Sequence, residues 1–312
     1  MRTHAHFQHD MTILAISLLT LSAFIHASWN LIGKRAGSTT VFFFIATFSS
    51  ALVFLPVLFI FRNDLKEVPS EFWLLLALSG IFQAIYYISL AEAYRNGDLI
   101  VAYPLVRALP VLMIALVSLF LGRGDSVTIW GFLGMILIAM GCLVLPLRSF
   151  QVANLRQYWQ RVHLLAVLAA IGTTGYTIID DTSLRLLREL PEVKLENLQV
   201  AFLYIELETI AAAITLLVVT VIHPIETLEW QLLRKYSWTQ AATSGILITA
   251  AYLLVLISMA YVRDVSYVSA FRQLSIPFGA LFGIFIQKEK PYPPTIAGIA
   301  CITTGLILVG IG

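Results

Sequence analysis

The sequence predicts an all-α integral membrane protein of ten transmembrane helices, arranged as two inverted five-helix repeats. Three observations carry that reading. The chain is 59% hydrophobic and only 12% charged over 312 residues, with a mean hydropathy of +0.86, and so little charge cannot cover a soluble protein of this size. Apolar runs of roughly 20 residues, the length that crosses about 30 Å of hydrocarbon, follow one another from Met11 to Gly312. One stretch also returns. DLIVAYPLVRALPVLMIALVSLFLG (98–122) sets Arg107 inside an apolar run, and RDVSYVSAFRQLSIPFGALFGIFIQ (263–287) sets Arg272 likewise, 165 positions on. After each comes an acid and then two glycines, Asp125, Gly134 and Gly141, then Glu289, Gly298 and Gly305, with spacings of nine and seven both times. Such self-similarity marks tandem copies of one unit.

The ten expected spans are 11–33, 40–61, 72–92, 98–121, 126–147, 163–182, 197–222, 238–262, 266–287 and 294–312. A polar tail (1–10) precedes the first repeat (11–147), and a connector (148–162) leads to the second (163–312). The tail holds His4, His6 and His9, which read as solvated rather than as a metal site. The first span has no small-residue cleavage motif and reads as a helix, not a removable signal. Its second half places His26, Trp29, Asn30 and Lys34 together; His26, Asn30 and Lys34 share one face, which lines a cavity or packs on another helix. The second span has no ionisable group. In the third, Gln83 and Tyr87 stand one turn apart, and Tyr252 is their aromatic counterpart in the second half.

The fourth span centres on Arg107, one turn beyond Tyr103 and Pro104. The fifth and tenth carry their glycines seven apart on one face, so they should pack on each other or on a second copy. In the sixth, Tyr176 falls where Trp29 stands and Asp181 where Lys34 stands, each pair 147 apart. Asp180 and Asp181 are either solvated at that helix end, or one faces inward to meet an arginine or carry a proton. In the seventh, Glu206 and Glu208 are two apart and point about 200° from each other, so one cavity cannot hold both. The ninth repeats the fourth, with Pro277 after Arg272. Proline removes a backbone donor and lets these helices bend.

Charge excludes some partners and leaves orientation open. A net charge of +2, scattered over short loops, gives no nucleic-acid surface. Lys and Arg outside the span interiors divide eight to ten between the two sides, so the positive-inside rule selects neither. Cys142 and Cys301 lie within spans and read as small apolar residues, not a disulfide. The chain shows no metal-ligand cluster, phosphate loop or nucleophile elbow, which argues against an enzyme and against a bound cofactor.

HASWNLIGKRAG, AYPLVRALP, YTIIDDTSLR and RQLSIPFGALFG, followed by the acid and the two-glycine helix, resemble the tandem EamA domains of the drug/metabolite transporter superfamily. The resemblance covers nearly the whole chain. It implies an exporter of small metabolites such as amino acids, with both termini cytoplasmic at the cell membrane and a central cavity between the halves. The first half departs from the family in carrying Gly122, Arg123, Gly124 and Asp125 where a glutamate is commoner. Candidate substrate contacts are Arg107, Arg272, Tyr103, Trp29, Asn30, His26, Gln83, Tyr87 and Tyr176. Glu206 first and Asp180 second are the candidates for coupling transport to protons. The other readings are a polytopic membrane enzyme, a translocase of a lipid- or sugar-linked substrate, and a non-transporting partner or sensor. The partners expected are a small solute and the lipid bilayer, with the chain a monomer or a homodimer through the helices of Gly134, Gly141, Gly298 and Gly305.

Overall fold

The computed structural model describes residues 11–36, 39–96, 99–123, 127–145, 161–191, 194–222, 238–286 and 290–311, with residues 147, 149 and 288 between them. Within these, the side chains of 30–36, 94–96, 99–105, 123 and 161–163 are outside the description. The helices are α1 (Ile13–Ala36), α2 (Thr40–Phe54), α3 (Pro56–Ile60), α4 (Ser70–Asn96), α5 (Leu99–Ser118), α6 (Ile129–Val144), α7 (Arg161–Glu189), α8 (Asn197–Ile222), α9 (Trp238–Ser258), α10 (Val265–Arg272), α11 (Ser275–Ile286) and α12 (Pro293–Ile311). Among the described residues, seven helical stretches are long and apolar enough to cross a membrane. Three shorter apolar helices, Ile13–Trp29, Val106–Gly122 and Ile129–Val144, accompany them.

Short polar residues set the helix starts. Thr39 accepts from the Phe42 amide at 3.1 Å, Thr128 from Gly131 at 3.0 Å, and Asp264 from Ser266 at 2.8 Å, each satisfying a first-turn donor. Pro56 divides the second span into α2 and α3. A π turn, Leu119–Arg123, follows α5 and contains Gly122, whose φ of 75° suits glycine.

Two spans differ from expectation for local reasons. The sixth runs on to Glu189 because its acids are paired inside the protein rather than solvated. Asp180 and Asp181 are both fully buried; Arg185 Nε donates to Asp181 at 2.9 Å, and Arg188 reaches the Leu256 carbonyl at 3.5 Å. The ninth is broken between Arg272 and Ser275. Pro277 has no amide to bond Gln273 O, so the Ile276 amide takes that carbonyl at 2.9 Å instead. This shorter bond leaves the Arg272 carbonyl without its helical donor.

Contacts between the helices of 13–144 and those of 161–311 come in matching sets. α4 lies along α7 as α9 lies along α1; α9 crosses α2 as α4 crosses α8; α5 rests on α7 as α10 and α11 rest on α1. The remaining close pairs are α2 with α8, α5 with α6, α8 with α9, α5 with α10, and α6 with α12. In the last pair a Cβ on Gly134 would stand 2.6 Å from the Gly305 carbonyl, and one on Gly305 would stand 2.7 Å from the Gly134 carbonyl. Gly141 approaches the Gly298 carbonyl in the same way, at 2.8 Å. These four glycines bring two backbones together within one chain, so a dimer would use other faces of α6 and α12. Cys142 and Cys301 are free thiols.

Candidate functional site

A cavity lies where α1, α2, α4, α5, α7, α8, α9 and α10 converge. Arg107 and Arg272 line it and also line a second, smaller cavity.

Arg107 closes the break in the ninth span. Its Nη2 donates to the freed Arg272 carbonyl at 3.1 Å and to the Ser275 hydroxyl, and Nη1 lies 3.4 Å from His26 Nε2. Its buried Nε has no partner. Arg272 donates to the Tyr176 hydroxyl at 3.1 Å and reaches Thr177 Oγ1 at 3.5 Å. Its guanidinium lies 5.1 Å from the Tyr252 ring centre and 5.9 Å from that of Tyr176, the setting of a cation–π contact. Among the described residues neither arginine is within ion-pair distance of a carboxylate; the ion pair found there joins Arg185 to Asp181. Two cations from the two halves therefore meet at one cavity held by carbonyl, hydroxyl and ring contacts.

Behind the Tyr252 ring sits a buried carboxylate. Asp180 accepts from Ser79 and Tyr252 at 2.5 Å each and from Tyr204 at 2.7 Å. Glu208, which lines the cavity, accepts from Gln83 Nε2 at 2.5 Å, while its Oε2 is buried without a hydrogen-bond partner.

His26, Trp29, Gln83, Tyr87, Arg107, Tyr176 and Arg272 all line the larger cavity. Trp29 is buried there with Nε1 unpartnered, so it is not a belt residue at the membrane surface. The Asn30 and Tyr103 side chains lie outside the described residues. Glu206, the first coupling candidate, does not line the cavity, although it is fully buried with both oxygens unpartnered. α8 turns Ile205, Glu208 and Thr209 inward, the i, i+3, i+4 positions of one face, and that register points Glu206 elsewhere. Asp180 stands one hydroxyl away from the cavity, behind Tyr252.

Residues 13–146 match the EamA-like transporter family. The chain carries an EamA-like domain of the drug/metabolite transporter superfamily. That domain supplies Arg107, His26, Trp29 and Gln83, and the cavity's remaining arginine, Arg272, comes from beyond the matched residues. No curated protein matches the chain. Among 27 matching chains of solved structures, one titled "Crystal structure of protein" superposes with a TM-score of 0.66 at 17% identity, covering 95% of this chain and 96% of that one. At that identity the likeness is one of fold.

Sequence reasoning put Glu206 first, whereas Glu208 is the glutamate that lines the cavity; it also passed over Ser79, Tyr204, Ser275 and the full weight of Tyr252. One signal was present: Tyr252 follows Tyr87 by 165 residues, the spacing of the two arginines.

Proposed function

We infer that the protein is a secondary transporter that exports small anionic or zwitterionic, amino-acid-like metabolites by alternating access. The observation that carries this is the meeting of Arg107 and Arg272 at the central cavity with no carboxylate partner among the described residues. Arginine keeps its charge at any accessible pH and presents a planar fork that matches a carboxylate. A cavity with two such forks and an aromatic wall suits an anionic group on a small solute.

The transport cycle rests on ten spans in two inverted repeats, 11–147 and 163–312, after a tail (1–10) and joined by a connector (148–162). Five spans per unit make the second enter from the opposite side. What supports this is the exchange of partners in the packing, α4 on α7 against α9 on α1, and the contact of Arg107 with the residue 165 positions on. The family resemblance adds cytoplasmic termini and the cell membrane. The break at Gln273 and Leu274 supplies a hinge beside the solute.

Flux of radiolabelled amino acids and small carboxylates into sealed liposomes containing the pure protein tests the reading. Saturable flux above empty liposomes supports it. Absence of flux for every solute, with turnover of a lipid-linked substrate instead, would put the enzyme or lipid-translocase reading in its place.

A further inference from the structure

We propose that Asp180 and Glu208 form a proton-carrying carboxyl pair whose state is tied to the occupant of Arg272 through Tyr252. This rests on the transporter reading for its purpose, but the pair is defined by geometry alone. The two acids come from neighbouring helices, α7 and α8, and their partners place them side by side: Ser79 and Gln83, one turn apart on α4, hold one acid each, and Tyr204, which donates to Asp180, stands one turn from Glu208 on α8. Both are fully buried. Asp180 is met by three hydroxyls and Glu208 by an amide.

None of those donors carries charge, and two adjacent carboxylates without a cation repel. One proton held between them removes the repulsion, and the pair then titrates as a unit. Among the described residues, the charged and titratable groups facing it are few. α4 presents Tyr87, α8 itself Tyr204, α9 Tyr252, and α10 Arg272, which acts on Glu208 across the cavity without an ion pair. α1 presents its histidine to the arginines and not to the acids.

Glu208 is the outlet. Unlike Asp180, it lines the cavity, so the proton leaves by breaking the carboxyl O–H and forming one on water that enters there. Tyr252 is the link to the solute. Its hydroxyl holds Asp180 Oδ2, and its ring lies against the Arg272 guanidinium. An anion on Arg272 draws that cation from the ring and from Glu208, which makes an ionised pair less tolerable and favours keeping the proton. An empty Arg272 does the reverse. Solute and proton thus influence each other's occupancy, and the influence is reciprocal.

The pair is tested without knowing the solute. Infrared difference spectra of the detergent-solubilised protein at neutral pH, wild type against Asp180→Asn, Glu208→Gln and the double variant, read the carboxylic-acid C=O band and its shift in heavy water. Each single variant should lose the whole band assigned to the pair, and the double variant should lose no more. An unchanged band in both single variants overturns the proposal, as does a loss in the double variant equal to the sum of the singles, which would mean two independent acids. Monodisperse elution of each variant secures the comparison. Replacing choline chloride by sodium chloride should leave the wild-type band unchanged; a sodium-dependent loss would make the pair a cation site and overturn the proposal. In liposomes, flux through either single variant should lose its dependence on an imposed pH gradient, while retained dependence overturns the coupling. Absence of flux in the wild type would instead sink the transporter reading and leave the infrared result standing.

Discussion

Arg107→Lys separates solute recognition from scaffolding. Arg107 makes one well-placed hydrogen bond to the Arg272 carbonyl at 3.1 Å and another to Ser275, with His26 Nε2 further off at 3.4 Å. Lysine keeps the charge and can replace one of these contacts, but it lacks the second donor arm. The Arg272 carbonyl is not orphaned by the change, since the Ser275 hydroxyl also donates to it at 2.9 Å. The stability loss should therefore be held to about 1.5–3 kcal/mol, one hydrogen bond involving a charged group. For the solute the missing arm is a lost charge-assisted bond of the same size, and about 1.4 kcal/mol is tenfold in affinity. Apparent affinity for a carboxylate solute should fall roughly tenfold to a hundredfold. Uptake into liposomes across a concentration series reads the affinity, and a thermal melt in detergent reads the stability. A lowered melting midpoint with unchanged affinity would refute the reasoning and assign Arg107 to the scaffold.

Pro277→Ala restores an amide able to bond Gln273 O, so it should straighten the ninth span and slow turnover more than it changes apparent affinity; equal turnover in a liposome rate assay would show that the break is not the hinge. Gly134→Val places a branched side chain where a Cβ already stands 2.6 Å from the Gly305 carbonyl, which should cost about 1–3 kcal/mol or more by overpacking, read as a fall in melting midpoint. Tyr252→Phe strips one donor from a fully buried Asp180 oxygen and should cost about 1–3 kcal/mol for the unsatisfied group; an unchanged midpoint would contradict the bond. Glu206→Gln should leave the pH-gradient dependence of transport intact, because that side chain does not line the cavity; loss of the dependence would restore it as the coupling acid.

Hydropathy made the spans legible because each apolar run must cross the same thickness of hydrocarbon. The 165-residue recurrence pointed to both arginines, and the glycine spacing pointed to the contact of α6 with α12. What the sequence did not carry was helix rotation. Glu206 and Glu208 are equivalent in composition, and only the packing of Ile205, Glu208 and Thr209 on one inner face decides between them. The same limit hid the end of the sixth span. Asp180 and Asp181 look like solvated terminal acids until the fold brings Ser79, Tyr204 and Tyr252 to one and Arg185 to the other, and the hydroxyls arrive from three different helices. The break after Arg272 was half visible, since Pro277 announced bending, but its closure by Arg107 joins residues far apart in the chain.

On the proposed function, Arg107 and Arg272 together select an anionic group on the solute. Competition in sealed liposomes tests it most directly: flux of a labelled carboxylate solute is measured against unlabelled excess of the same carboxylate and of its neutral amide. The carboxylate should compete and the amide should not, and this distinction should fade in an Arg107→Gln/Arg272→Gln double variant that still elutes as a folded protein. Equal competition by carboxylate and amide in the wild type would contradict it.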